Sequence, residues 1–293
     1  PVFILISGYF GIRFKPKKLL QLDLMLIFYC WTGLALRFAW GDAAEYGMEQ
    51  ILSYVLPVIG RNSWYFTCYF ALAILSPFLN EFVEKLEKET FRRMLVLMLV
   101  IFSGITTFLF FDITQDGGKG IVNMTLLYLI GRYICLYQDE KVYSRKKLIT
   151  AYVVIMAVCI VLNGALYVVS GTVQNRFSRD NTLFTIAASV CLFLLFKDLH
   201  FRSKVVNRLA THVPAVFTME WTLRGVVTAY MFDYLAWRES NWHELILFGV
   251  CFLLLAMGTV IDELRVLLLG RAEEKLADLE LSLIHISEPT RPY

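Results

Sequence analysis

The chain has 293 residues, 58% of them hydrophobic and 15% aromatic, with a mean hydropathy of +0.59 and a formal net charge of +3. Soluble domains average roughly 45–50% apolar and interrupt their apolar runs every few residues, whereas here runs of about 20 residues recur along the full length. That leaves no room for a sizeable soluble domain, and the small net charge carries no information until it is mapped by loop.

The pattern predicts an all-α, polytopic membrane helical bundle. Nine apolar spans are read: 1–12, 19–40, 63–80, 94–112, 120–137, 148–170, 182–197, 212–235 and 244–264. Each should be helical, because a single segment satisfies its backbone in lipid only by helical bonding. The opening stretch, PVFILISGYFGIRFKPKKLL, is apolar in its first half and carries Arg13, Lys15, Lys17 and Lys18 in its second. An apolar run ending in clustered cations reads as a helix leaving the bilayer on the cytoplasmic side. With 11–18 inside, Lys and Arg alternate at every loop. The inner segments 11–18, 81–93, 138–147 and 197–208 hold four each and 265–280 holds three, whereas the outer segments hold one or two each. The expected location is the cell (cytoplasmic) membrane, multi-pass, with residues 11–18 on the cytoplasmic side.

In chain order, the first span is about ten residues long and begins at Pro1, so a fragment lacking an earlier helix is expected. In the long outer loop 41–62, QILSYVLPVIG reads either as a short amphipathic helix on the interface or as a packed loop. Trp64 and Tyr65 mark the outer boundary. Pro77 is expected to end the third span near the inner face, and EFVEKLEKETFRR to be a solvated connector. The six cysteines lie in apolar runs without metal-ligand spacing, which predicts packed side chains, neither disulfides nor a metal site. Residues 1–280 read as one integral-membrane domain. The last thirteen residues, LSLIHISEPTRPY at 281–293, read as a non-native tail resembling a translated adapter and are excluded from fold reasoning.

Polar groups inside spans are costly and need a partner or a wet cavity. The candidates are Ser7-Gly8-Tyr9, Asp23, Arg37, Asn123, Thr125, Arg132, His212, Glu220, Arg224 and Asp233. Glu220 and Arg224 are four apart and share a helix face, as a cavity wall or as a structural ion pair. Gly8 allows close helix approach. Ser7 is either a cavity group or bonds back to its own helix. Lys17 and Lys18 either set topology or bind an anionic cytosolic ligand. Arg132 either lines a cavity or snorkels. There is no Gly-rich phosphate loop, no HExxH and no GxSxG. His200, His212 and His243 all lie away from mid-membrane.

Four stretches carry a resemblance: PVFILISGYF followed by KPKKLLQ, SWYFTCYFALAILSPFLN, LLYLIGRYICLY and THVPAVFTMEWTLR. Together they resemble, in order and spacing over about residues 1–265, the bacterial membrane acyltransferase 3 family. These are integral-membrane O-acyltransferases that modify cell-surface polysaccharides and other carbohydrates. The resemblance implies a ten-helix core whose first helix carries a catalytic histidine. That histidine is not matched here, so catalytic residues are unassigned and this fragment is expected to be inactive as it stands. The family's late histidine is not matched either, and Glu220 stands near its place.

The resemblance further implies transfer of an acetyl (acyl) group from acetyl-CoA to a carbohydrate hydroxyl. The implied substrate-binding residues are Ser7, Gly8, Tyr9, Arg132, Glu220 and Arg224. Arg13, Lys17 and Lys18 are implied for the acyl-CoA phosphates. No bound cofactor and no metal are implied, and the partners are the bilayer, acyl-CoA and the carbohydrate acceptor, with no nucleic acid. The residues by themselves also fit a multi-pass transporter or flippase for a polar or lipid-linked solute, or a membrane scaffold. A transporter should show internal repeats, and no convincing repeat is visible.

Overall fold

The computed structural model of the chain describes every residue except Asp42, 139–142, 200–201 and 287–293, so His200 and the end of the expected tail lie outside the described residues. Among the described residues the chain is helical, without a strand. The helices are α1 (Val2–Phe10), α2 (Pro16–Trp40), α3 (Met48–Val55), α4 (Trp64–Glu84), α5 (Lys88–Met98), α6 (Ile105–Phe108), α7 (Ile121–Gln138), α8 (Arg145–Ser170), α9 (Leu183–Lys197), α10 (Lys204–Val226) and α11 (His243–Ile286). A π-helical stretch, Leu99–Gly104, joins α5 to α6, and another, Val227–Met231, follows α10.

Six helical stretches among the described residues are long and apolar enough to cross a bilayer: Pro16–Trp40, Trp64–Glu84, Lys88–Phe108, Arg145–Ser170, Arg176–Lys197 and His243–Ala272. The chain is an all-α, multi-pass membrane protein. The span read at 120–137 forms α7, whereas that read at 212–235 is continuously helical only to Met231, as the later part of α10 and the π-helical stretch after it, with Phe232 extended; both are too polar to meet the same measure. QILSYVLPVIG begins as a helix, within α3, and continues as a turn. Pro77 does not end its helix, contrary to the sequence expectation. It lies inside α4, which continues to Glu84.

The reason is local. Proline has no N–H for the carbonyl four residues back, here Ala73 O. The Ser76 hydroxyl donates to that same oxygen at 2.8 Å, so the missing bond is replaced and the helix continues. At α2 the opposite logic holds. Lys15, before a proline, is extended (φ −134°, ψ 101°), and Pro16 takes the first helical position, where no N–H is required.

The described chain divides into two compact units. One comprises Pro1–Phe14 and Trp64–Phe201. Its centre is α7, ten of whose 18 residues are buried. Surrounded by protein, α7 has little lipid-facing surface to keep apolar, so Asn123 and Arg132 are tolerated. Leu5, Leu72, Phe91 and Tyr128 fill the core around it. Helix α8 is the converse. Val153, Val154, Ile160 and Val161 are exposed, as expected of a face whose solvent is hydrocarbon.

The other unit comprises Lys15–Ser63 and Arg202–Tyr293. Helices α2, α10 and α11 pack around Tyr29, Ala215, Met219, Leu223 and Leu254. Of the cysteines, Cys30, Cys68 and Cys159 are buried, Cys135 and Cys191 half-buried, and Cys251 is exposed rather than packed.

Candidate functional site

In the first unit, three of the motif stretches meet at the turn that ends α1. Helices α1 and α7 cross backbone to backbone. A Cβ on Gly8 would run into the Tyr128 carbonyl, and one on Gly131 into the Leu5 carbonyl. After Phe10 the chain leaves the helix at Gly11, with φ +71°, a conformation that favours glycine. The next residue, Ile12, is held at both ends of its peptide unit. Its N–H donates to the Tyr128 hydroxyl at 3.1 Å, and its carbonyl accepts from Ser76 Oγ and Asn80 Nδ2, each at 3.2 Å. Tyr128 in turn donates to Asn80 Oδ1 at 2.6 Å. Thus the Ser and Asn of LSPFLN and the Tyr of LLYLIGRY clamp the backbone just before Arg13.

Arg132 lies beside this turn. It is 8% exposed, and its Nη2 is 3.2 Å from Glu84 Oε1. Its buried Nε makes no hydrogen bond among the described residues. A Cβ on Gly11 would stand 3.1 Å from its Nη1. A guanidinium with one buried unsatisfied N–H, next to a fixed turn, is suited to hold an oxygen ligand. The other residues expected in the first unit have structural partners. Ser7 bonds back to Phe3 O at 2.9 Å, Gly8 sits in the α1/α7 crossing, and the Tyr9 ring packs 5.3 Å from that of Phe193.

In the second unit the expected Glu220–Arg224 pair forms at 3.4 Å, and the Arg224 guanidinium lies 5.0 Å from the Trp221 ring centroid. Arg224 lines an open pocket of about 480 Å³ with Arg37, Trp40, Trp221 and Tyr234. Arg37 also borders a more enclosed cavity of about 190 Å³ that reaches Tyr29, Tyr54, Asn62 and Thr222. Arg37 is buried and donates from Nε to Thr222 Oγ1 at 3.1 Å and from Nη1 to the Tyr46 hydroxyl at 3.0 Å. Tyr54, in the loop helix α3, has its phenol pushed up to about 12 by burial.

Beneath that cavity lies a buried network that the sequence reading did not assemble. Tyr29 donates to Asp262 Oδ1 at 2.5 Å, and Arg265 Nε donates to the same oxygen at 2.7 Å. His212 Nδ1 is 2.6 Å from Asp262 Oδ2. The other ring nitrogen, Nε2, lies 3.2 Å from Glu263 Oε1 but out of line for a hydrogen bond. Glu263 is held in turn by Arg208, at 2.6 Å. His212 was read as a residue at a span entrance, and Asp262 was not singled out. The available signal was IDELR, a carboxylate pair and an arginine closing an apolar run.

The remaining candidates are placed as follows. Arg13 and Lys18 are exposed, and Lys17 is half-buried in the first turn of α2. Asn123 anchors a loop through Gly118 O and Asp180 O. Asp233 caps Leu235 N. Asp23 and Thr125 are half-buried.

A model of the acyltransferase 3 family, an acyltransferase domain, matches residues 1–261. The chain belongs to that family. No curated protein and no solved structure matches it. As an acyltransferase 3 protein it carries the family's motifs where the geometry gives them work. LSPFLN repairs its own helix and grips Ile12, LLYLIGRY supplies Tyr128 and Arg132, and SGYFGI supplies the turn itself. The fourth stretch, THVPAVFTMEWTLR, contributes His212, Glu220 and Arg224 within α10.

Proposed function

We propose that this membrane acyltransferase moves an acetyl (acyl) group from acyl-CoA to a hydroxyl of a cell-surface carbohydrate, in the cytoplasmic membrane with residues 11–18 inside. The observation that carries this reading is the clamped turn at Gly11–Ile12, which fixes the backbone just before Arg13; Lys17 and Lys18 follow in sequence, in the first turn of α2. A nucleotide phosphate needs clustered cations, and α2 adds the positive end of its helix dipole at Lys17 and Lys18. Arg132 beside the turn, and Glu220 and Arg224 on α10, are the polar groups assigned to orienting donor or acceptor, with Ser7, Gly8 and Tyr9 shaping the α1 wall.

In the reaction the acceptor oxygen attacks the thioester carbon. The C–S bond breaks, and the proton lost by the hydroxyl ends on the CoA thiolate. The histidine that the resemblance implies as base has no counterpart among these residues, so on their own they are expected to release no thiol from acetyl-CoA. The test fuses a family member's histidine-bearing helix ahead of Pro1 and measures thiol release from acetyl-CoA with and without a bacterial polysaccharide. Acceptor-dependent release supports the reading. In that fusion, Lys17→Ala with Lys18→Ala should raise KM for acetyl-CoA about tenfold, equivalent to ~1.4 kcal/mol of lost phosphate binding. Thiol release that never depends on a hydroxyl acceptor would overturn the reading.

A further inference from the structure

The Tyr29–Asp262–His212–Glu263 network has a feature that packing does not explain. Its members follow one another at close range, and they are graded from fully buried to open. Tyr29 is 0% exposed and forms part of the wall of the 190 Å³ cavity. Asp262 and His212 are buried, the Glu263 side chain is 40% exposed, and that of Arg208 is 73% exposed. Successive separations are 2.5, 2.6 and 3.2 Å. Each member can both take up and give up a proton.

The charges around His212 make it the pivot. On α11, Asp262 faces Nδ1 and Glu263 faces Nε2, with Arg265 on Asp262. On α10, Arg208 holds Glu263, and from α2 the Tyr29 hydroxyl completes the ring of partners. Two carboxylates are balanced by two guanidiniums, so the network is neutral with a neutral imidazole and carries one added charge when His212 is protonated. The buried Nε2, without a hydrogen bond in this arrangement, is the position where a proton enters or leaves.

We infer that this network is a proton path joining the enclosed cavity of the second unit to the surface at Glu263 and Arg208. With Asp262 ionised, the neutral imidazole donates from Nδ1 to Asp262 Oδ2 and its bare Nε2 takes a proton from water by way of Glu263. The imidazolium gives its Nδ1 proton to Asp262, whose carboxyl turns about its Cβ–Cγ bond and presents that proton to the Tyr29 oxygen. Tyr29 releases its own proton into the cavity, and the ring is left as the Nε2–H tautomer, which returns to Nδ1–H by exchange with water. No bond to carbon changes and no electron moves. The use of the path rests on the acyltransferase reading, in which a hydroxyl proton has to reach a thiolate.

The test needs no acyl transfer. Protein with ¹⁵N-labelled histidine is placed in lipid nanodiscs, with the other three histidines changed to glutamine so that His212 is the reporter. A path predicts that the ring N–H exchanges with water within milliseconds, seen as saturation transfer from the water signal. Glu263→Gln at the exposed end, which leaves the buried members in place, should slow that exchange at least tenfold. Adding Tyr29→Phe should slow it further by closing the cavity end. A ring N–H that survives for minutes in D₂O describes a sealed structural lock and overturns the proposal. Exchange that is fast but indifferent to Glu263→Gln overturns it too. Because acetyl-CoA is absent, these outcomes stand apart from success or failure of the thiol-release assay.

Discussion

Ser76 shows how much one side chain can decide in a membrane helix. Its hydroxyl meets the carbonyl that Pro77 leaves without a donor and also faces Ile12 O. Ser76→Ala leaves a buried carbonyl unsatisfied where no water competes, a cost of about 1–3 kcal/mol. The expected outcome is a lower melting temperature of the purified protein in detergent. Pro77→Ala combined with Ser76→Ala should recover most of the loss, because alanine restores the N–H. The small residues at the α1/α7 crossing predict a second effect. Gly131→Ala puts a methyl against the Leu5 carbonyl and should cost about 1–3 kcal/mol through forced separation of the two helices. Gly164→Ala, on α8 where no atom lies within 4 Å of the added carbon, should be neutral or slightly stabilising, and the two melting temperatures compare them directly.

At the scale of whole helices, polar content follows burial. α7 carries Asn123 and Arg132 because its neighbours, not lipid, surround it, and α8 is apolar because lipid does. Motif residues and spans were therefore legible in the sequence. Ser7 bonds back to its own helix and Gly8 sits in a close helix crossing, as their residue types allow. Pro77 was misread because the rule that proline ends a helix ignores the hydroxyl one residue earlier. The His212–Asp262 pair was out of reach for another reason. The partners are 50 residues apart on different helices, and no periodicity within one helix announces a bond between two. Asp262→Asn should be among the most destabilising single changes in α11, by about 3–5 kcal/mol, since it removes the charge that Arg265, His212 and Tyr29 share. Thermal unfolding in detergent, with Glu263→Gln as the exposed control, measures it.

For the molecule as a whole, charge placement ties topology to chemistry. Cysteine labelling at positions 18 and 145 should find both on the same side of the membrane, with position 176 on the other. In the short loop helix α3, Tyr54 supplies a stability term with a defined pH window. Burial raises its phenol from 10.0 to about 12. The unfolded chain loses this proton near pH 10 while the folded chain keeps it, so stability from this group is intact below pH 10 and is lost between 10 and 12. Ultraviolet titration of the protein and of Tyr54→Phe should differ by one tyrosine that ionises near pH 12.

A hydroxyl has a single hydrogen, and at Ser76 two oxygens compete for it, one in its own helix and one in the α1 turn. Whatever draws Ile12 away returns that hydrogen wholly to Ala73 and stiffens α4 at its proline. Whatever presses Ile12 closer loosens it. A bend in one helix thereby senses whether the neighbouring loop is gripped, much as a latch reports the position of the door it holds.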